Sequence, residues 1–280
     1  MWRSLNEHIN SHPSLRQAKR RVLDPIYREW YKWHHNQPQK WVYRVSGMRR
    51  SGNHAFLYWL MGQMPGSIAF LNNLGPFQPP ERNEINKIFW RGVRRPFLVV
   101  SYEDQPTFKT ITPYPTERFG PAARDFQILI LRDPYNFLAS RIAWPDAQGL
   151  RFREDEAYRT AIINNWKEHA QRFLQAQENP QSGVIPVSFN HWFTNVHYRQ
   201  NLAGRLQLTF SDRAMNTVTP FGHGSSFDGV RYRGRAAEAP VLERFRQMPQ
   251  HSHYHLYREL CQDKELRSYG EQIFGETPPL

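Results

Sequence analysis

Short apolar runs alternate along the chain with longer, mixed stretches whose apolar residues recur at helical spacing. The short runs are almost continuously hydrophobic, which is typical of strands buried on both faces of a parallel sheet. Strands are predicted at residues 41–45, 67–71, 96–101, 126–131 and 184–187. Helices are predicted at residues 55–61, 84–90, 136–143, 154–177, 191–208, 239–248 and 253–269. This alternation predicts an α/β protein with three layers, α/β/α, around a mainly parallel central sheet.

Two segments differ from this pattern. Residues 1–40 are rich in charge and tryptophan and show a rough helical periodicity, which predicts an N-terminal helical arm packed on an α/β domain of residues 41–280. An arm that binds a surface is the alternative. Residues 211–238 are irregular and contain several glycines and arginines, and a long irregular segment in a compact domain is usually functional or disordered.

The composition narrows the class of protein. Of 280 residues 39% are hydrophobic, enough to build a sizeable core, and no apolar run approaches the ~20 residues of a membrane span. The first residues lack the apolar core of a signal peptide, and the single Cys261 excludes an internal disulfide. A soluble, cytoplasmic protein is therefore predicted. The net charge of +12 implies an anionic partner: nucleic acid, a membrane surface or a polyanionic small molecule.

A glycine-rich loop follows the first predicted strand directly. Gly47 and Gly52 have the spacing of a Walker loop, G-x-x-x-x-G, but Asn53 and His54 stand where that loop has lysine and a serine or threonine. The lysine and the magnesium-binding hydroxyl are thus missing. What remains is a P-loop-like turn before a helix, whose N–H groups bind an anion without a metal ion. The loop indicates a phosphate-bearing ligand and disfavours a kinase.

A second set of anion-binding residues follows the fourth predicted strand. Arg132 comes at the carboxyl end of this strand, the edge at which open α/β sheets bind their ligands. Ser140 lies eight residues later, on the next predicted helix. A guanidinium and a hydroxyl that approach each other there suit a phosphate group. Asp133 is predicted to cap the helix that begins with Pro134.

Together these segments resemble the sulfotransferases that use PAPS, 3′-phosphoadenosine 5′-phosphosulfate, as the sulfuryl donor. In that family a K/R-S-G loop holds the 5′-phosphosulfate, and it corresponds here to Arg50-Ser51-Gly52. An R-D-P sequence and a later serine hold the 3′-phosphate, which correspond to Arg132-Asp133-Pro134 and Ser140. Residues 165–169 resemble the helix after this site, and residues 225–227 with 233–234 resemble a late segment that closes over the nucleotide.

The resemblance implies PAPS as co-substrate and 3′,5′-ADP as product, and the loop without a magnesium ligand predicts a metal-independent reaction. The resemblance also implies that the coenzyme is bound by Gly47, Arg49, Arg50, Ser51, Gly52, Asn53, His54, Arg132, Ser140, Ser226, Phe227, Arg231, Arg233 and Gly234. Arg231, Arg233 and Arg235 are interpreted as a lid over the 3′-phosphate, with a solvated basic loop as the alternative. The alternating His251, His253 and His255 would face different sides of a helix, so no metal site is predicted.

The chain departs from the better-known cytosolic members at three positions. Arg50 replaces a lysine, as in carbohydrate sulfotransferases, and Ala55 replaces a tryptophan that stacks on adenine, a role for which Phe227 is the candidate. The catalytic histidine after the third strand is absent. Glu103 is the first candidate for the general base, Asp104 the second and His54 the third, while a solvated acidic turn is the alternative for the two carboxylates. Arg50 is expected to stabilise the leaving 5′-phosphate.

The acceptor is predicted to be a small molecule or a glycan that presents a hydroxyl or an amine, with a lipid, a phenol and an amine-bearing natural product all open. The competing hypothesis is a non-catalytic protein that binds nucleic acid or another polyanion, which the charge and the aromatic content favour. The loop before a helix and the buried strands argue against it. A kinase with an altered P-loop is the third hypothesis.

Overall fold

A parallel sheet forms the centre of the computed structural model, which describes residues 41–74, 96–111, 122–218 and 225–275. Within these residues five strands pair in the order β2-β3-β1-β4-β5, and every pair is parallel. Their bounds are β1 Trp41–Gly47, β2 Ile68–Leu71, β3 Phe97–Glu103, β4 Arg124–Leu131 and β5 Val184–Ser188. The five predicted strands are confirmed, with β5 and its Pro186 at an edge.

The strands bury both faces because their side chains alternate between two sides. In β4, Ile128 and Ile130 pack into one apolar cluster, whereas Leu129 and Leu131 pack into another. Helix α1, Asn53–Met61, covers the first face with Phe56 and Trp59. Helices α3, Pro134–Ile142, and α5, Glu156–Glu178, cover the opposite face. The predicted three-layer α/β/α architecture is confirmed.

Two of the remaining helices, Thr107–Thr110 and Ala147–Glu154, were not predicted, and the other four are shorter than the sequence predicted. The remaining helices are α2 Thr107–Thr110, α4 Ala147–Glu154, α6 Phe189–Thr194, α7 Val196–Arg205, α8 Tyr254–Leu260 and α9 Lys264–Phe274. The predicted helix 191–208 is divided at Asn195, and the predicted helix 253–269 is divided before α9. Residues 239–248 were wrongly predicted as an α-helix: a turn leads into a 3-10 helix, Arg244–Gln250.

Two predicted elements, the arm of residues 1–40 and the helix of residues 84–90, lie outside the described residues. None of the helices in the described ranges combines the length and the apolar character needed to cross a bilayer.

Candidate functional site

The loop between β1 and α1 is fixed by close packing and by backbone geometry. Arg50 and Gly52 both have left-handed backbones, with φ of 69° and 83°. The Ser51 N–H donates to the Met48 carbonyl at 3.1 Å, which closes the turn. A Cβ on Gly47 would lie 2.4 Å from Asn53 Oδ1, and a Cβ on Gly52 would lie 2.1 Å from the Phe189 ring. Both glycines are therefore required for the close approach of loop and neighbours.

Helix α1 begins at this loop without a side-chain cap, because Gly52 occupies the N-cap position. The N–H groups in the first turn of a helix have no partner within the helix, and the helix dipole adds partial positive charge there. Gly52, Asn53, His54 and Ala55 line a cavity at this helix end. The start of α1 is thus suited to an anion.

Arg132 lies beside the loop, at the carboxyl end of β4. Its Nη1 donates to Ser140 Oγ at 3.2 Å and to the Arg50 carbonyl at 3.0 Å. The predicted approach of Arg132 to Ser140 is therefore confirmed. Nη2 donates to the Val241 carbonyl, and Nε is buried without a hydrogen-bond partner. An anion would supply the acceptor that Nε lacks.

The junction of β4 and α3 also holds a later part of the chain. Asp133 Oδ1 accepts from the Asn136 N–H at 2.8 Å, which confirms the predicted helix cap. The Asn136 side chain donates to the Leu242 carbonyl at 2.9 Å and accepts from the Arg244 N–H at 2.7 Å. Ser226 Oγ donates to the Ser140 carbonyl at 2.9 Å. These bonds place residues 225–244 over the site.

A single cavity of about 180 Å³ contains residues from both predicted anion-binding segments. Arg50, Arg132 and Ser140 line it, and its other walls carry Phe189, Trp192, Phe193, Met215 and Tyr232. One part of the cavity is thus cationic and another is aromatic. This combination suits a ligand with phosphate groups and a planar apolar ring.

Arg244 also lines this cavity, although no sequence pattern indicated it. It lay in a wrongly predicted helix and in no recognised motif, and its side chain is only 1% exposed. Its Nη1 is buried without a hydrogen-bond partner. A buried arginine at the start of a short 3-10 helix has no sequence signal that separates it from the exposed arginines nearby.

Burial and neighbouring arginines lower the pKa values of Arg50 and Arg132 in the cavity. Burial lowers the pKa of Arg50 to about 10, with further lowering from Arg141 and Arg244 and opposing effects from Asp146 and Glu103. Burial likewise lowers the pKa of Arg132 to about 10, which Asp133 opposes and Arg244 and Arg50 reinforce. With pKa values of about 10, Arg50 and Arg132 both remain charged at neutral pH. A bound anion would relieve their mutual repulsion.

The two candidate carboxylates have different surroundings. Glu103 ends β3, lines the cavity and accepts from Asn53 Nδ2 at 3.2 Å. Asp104 accepts from the Arg49 N–H at 3.0 Å and forms an ion pair with the fully buried Arg141, and it is not part of the cavity lining. Glu103 is therefore the carboxylate placed to meet a ligand.

His54 lines the cavity as well. Its Nε2 lies 3.1 Å from Asn72 Oδ1, which also accepts from Ser101 Oγ at 3.1 Å. Because an amide oxygen such as Asn72 Oδ1 can only accept, the His54 ring carries a proton on Nε2 and donates it in this contact. Asn72 was not predicted, although a polar residue directly after a strand, at the carboxyl edge of the sheet, was a usable signal.

Several predicted residues lie outside the cavity lining. Ser226 reaches the cavity, but its neighbour Phe227 packs against the core and beneath Arg244, with 5.1 Å from its ring centroid to Arg244 Cζ. Arg231, Arg233 and Gly234 are exposed. Gly47, Arg49 and Ser51 shape the loop from outside the cavity lining. In the residues described, no group of three or more potential ligands is arranged to hold a metal ion.

Comparison with known proteins finds similarity among solved structures. No family model matches the chain, and no curated protein matches it. The chain is similar to the crystal structure of the mouse sulfotransferase SULT7A1 complexed with PAP, with a TM-score of 0.46 and 12% sequence identity. The similarity covers 89% of this chain and 94% of that chain. At this level it assigns no family membership and no ligand to the chain.

Proposed function

We propose that this chain is a sulfotransferase that transfers a sulfuryl group from PAPS to a hydroxyl or an amine of a small molecule or a glycan. The observation that carries the proposal is that Arg50, Arg132 and Ser140 line one cavity. The hydrogen bond from Arg132 Nη1 to the Arg50 carbonyl joins the two anion-binding segments at 3.0 Å. One ligand with phosphate groups at two positions accounts for both segments.

The donor-binding roles follow from these positions. PAPS supplies the activated sulfuryl group, and the acceptor atom forms a bond to sulfur as the bond from sulfur to the 5′-phosphate breaks. Arg50 and the start of α1 bind the 5′-phosphate and stabilise the charge that develops there. Arg132 and Ser140, with Ser226 behind them, bind the 3′-phosphate. The aromatic wall around Phe189 accommodates the adenine.

Glu103 is the proposed general base. It is buried, lies at the cavity and is oriented by the amide of Asn53, so it is placed to take the proton from the acceptor. His54, oriented by Asn72, is the second candidate at the cavity. Asp104 is a weaker candidate because its carboxylate is engaged by Arg141 and by the Arg49 N–H.

The lid role of Arg231 and Arg233 and the cytoplasmic location stay predictions. Both arginines are exposed on the segment that carries Tyr232, a residue of the cavity wall. A movement of this segment toward the nucleotide would be needed to bring them to a phosphate.

A screen of acceptors with radiolabelled PAPS would identify the second substrate.

The test of the donor site is calorimetric titration of the full chain with 3′,5′-ADP and with 5′-AMP. The unmodified protein is expected to bind 3′,5′-ADP with a Kd of roughly micromolar size and to prefer it to 5′-AMP, which lacks the 3′-phosphate. Arg132→Ala should weaken binding of 3′,5′-ADP by roughly thirtyfold or more, because a charge-assisted contact is lost, and should remove the preference.

The matched control is Arg199→Ala. Arg199 is also a buried arginine, forms an ion pair with Asp212 at 2.8 Å and does not line the cavity. This variant is expected to lose stability and to keep the affinity for 3′,5′-ADP. Absence of micromolar binding in the unmodified protein would refute the assignment of PAPS as donor.

A further inference from the structure

A buried ion pair occupies part of the proposed nucleotide cavity. Arg244 and Asp228 both line the cavity, and the Arg244 guanidinium donates from Nη2 to the Asp228 carboxylate. The side chains are 1% and 13% exposed. Arg244 Nη2 also lies 3.3 Å from Ser225 Oγ. A carboxylate of the protein itself thus pairs with an arginine of the cavity, at the position where the anion of a ligand would bind that arginine.

The two partners are held with different firmness. The backbone N–H of Arg244 is fixed by Asn136 Oδ1 at 2.7 Å, and its guanidinium rests on the Phe227 ring. Asp228 lies instead in a tight turn that is closed by two bonds between Ser225 and Gly229, where Gly229 has a φ of 53°. Arg244 is therefore the anchored member, whereas among the described residues the Asp228 carboxylate is held by Arg244 alone and can turn away from it by a change of side-chain rotamer.

The charge around the cavity favours an exchange of anions. Arg244 contributes to lowering the pKa of both Arg50 and Arg132, so the three guanidinium groups act on one another within this space. Arg244 Nη1 is buried without a hydrogen-bond partner, although Nη2 is paired. Asp228 thus leaves part of the donor capacity of Arg244 unused, and a phosphate carries more charge and more acceptor oxygens than a carboxylate.

We propose that Arg244 is a third phosphate-binding arginine of this cavity and that Asp228 is a built-in counter-ion, which the phosphate of the ligand displaces from Arg244. This inference rests on the proposed function in taking that phosphate to belong to the nucleotide. Displacement releases the Asp228 side chain, while the turn Ser225–Gly229 stays attached to α3 through the bond from Ser226 to the Ser140 carbonyl.

The test compares Asp228→Asn with the unmodified full chain in titrations with 3′,5′-ADP and with inorganic pyrophosphate. Asp228→Asn should tighten the binding of both by roughly three- to tenfold, because the ligand no longer competes with a carboxylate. Arg244→Gln should weaken the binding of both roughly tenfold or more. In the Arg244→Gln background, Asp228→Asn should change neither affinity, since the two residues act as a pair.

The control is Asp125→Asn, which breaks the ion pair of Arg44 and Asp125 at 2.7 Å, outside the cavity lining. It should leave both affinities unchanged. Thermal melting is a second measurement, which can be used even if a variant is less stable than the unmodified chain. Pyrophosphate should raise the melting midpoint of Asp228→Asn by more than it raises that of the unmodified chain.

The two probes separate the two proposals. Unchanged or weaker binding by Asp228→Asn, in a protein whose unmodified form binds 3′,5′-ADP, would overturn the exchange of Asp228 and leave the donor site intact. Tighter pyrophosphate binding by Asp228→Asn, without any binding of 3′,5′-ADP, would support the exchange and refute the sulfotransferase. Failure of both probes with both proteins would overturn both proposals.

Discussion

Two independent constraints, backbone conformation and available space, require a glycine at position 52. Its backbone is left-handed, and the space where a Cβ would stand is taken by the Phe189 ring. That ring is buried and packs against Trp192, so it has little room to move away. Because Gly52 has no side chain, the loop packs directly against the start of the helix after β5. The start of α1 also stays open toward the cavity.

Replacement of Gly52 by alanine is expected to cost about 3 kcal/mol of folding free energy, from backbone strain and overpacking. It should also abolish binding of 3′,5′-ADP. Urea unfolding and calorimetry measure the two effects. The control is Gly183→Ala, where φ is 75° but nothing lies within 4 Å of the added Cβ. That change should cost about 1 kcal/mol and spare binding, and equal costs for the two variants would contradict the packing argument.

Arg132 and Arg244 illustrate how far residues can be predicted. Arg132 directly follows a buried strand, and a strand end locates a residue at the ligand edge of a parallel sheet. Arg244 belongs to an irregular segment, and its position depends on Asn136, more than a hundred residues earlier in the chain. Local pattern therefore identified the first residue, and only a long-range hydrogen bond located the second.

At the scale of elements, short polar residues ended helices that the apolar pattern would have continued. Asn195 and Asp263 each leave the helical conformation and accept a hydrogen bond from a backbone N–H three residues later. Such side chains compete with the helix for backbone donors and act as N-caps. The predicted helices 191–208 and 253–269 therefore became pairs, whereas the predicted helix 154–177 stayed one helix and the predicted strands kept their places.

The late segment depends on one residue of α3. Asn136 contacts Asp133, Leu242, Arg244 and Phe245 through its side chain and is 3% exposed. Asn136→Ala leaves several of these buried groups without partners, which is expected to cost about 2–4 kcal/mol. The segment that it holds should then open and become accessible to proteases.

Limited trypsin digestion with mass spectrometry measures this opening, because Arg231, Arg233 and Arg235 lie in the segment. Asn136→Ala should be cleaved there faster than the unmodified chain, and 3′,5′-ADP should protect it less. Asn195→Ala removes a helix cap elsewhere and should cost about 1 kcal/mol without faster cleavage at these arginines. Equal cleavage rates in all three proteins would show that Asn136 does not hold the segment.

At the scale of the whole molecule, the parallel sheet brings distant segments to one edge. The carboxyl ends of β1, β3 and β4 carry the glycine loop, Glu103 and Arg132. The chain returns to the same edge with Ser226 and Arg244. The net charge of +12 adds a long-range attraction for an anionic ligand.

Binding of 3′,5′-ADP is expected to be the same in EDTA and in excess Mg²⁺. The loop carries Asn53 and His54 where nucleoside triphosphatases place the lysine and the magnesium-binding hydroxyl, so no part of this loop needs the ion. Calorimetry with 3′,5′-ADP under both conditions measures this. A second titration, in which an oligonucleotide competes with 3′,5′-ADP, tests the polyanion hypothesis. A requirement for Mg²⁺ would favour the kinase, and displacement by the oligonucleotide at physiological salt would favour the polyanion-binding protein.

The sequence by itself determined the strands, the layer order, the glycine loop and the pairing of Arg132 with Ser140. These features depend on hydrophobic pattern, backbone conformation and short spacing, which are local properties. Only the tertiary structure decided that Glu103 faces the cavity while Asp104 pairs with Arg141, and that Arg244 joins the site with Asp228 as its counter-ion. These choices depend on which charges are buried together, and burial of a charge is set by the packing of segments far apart in the chain.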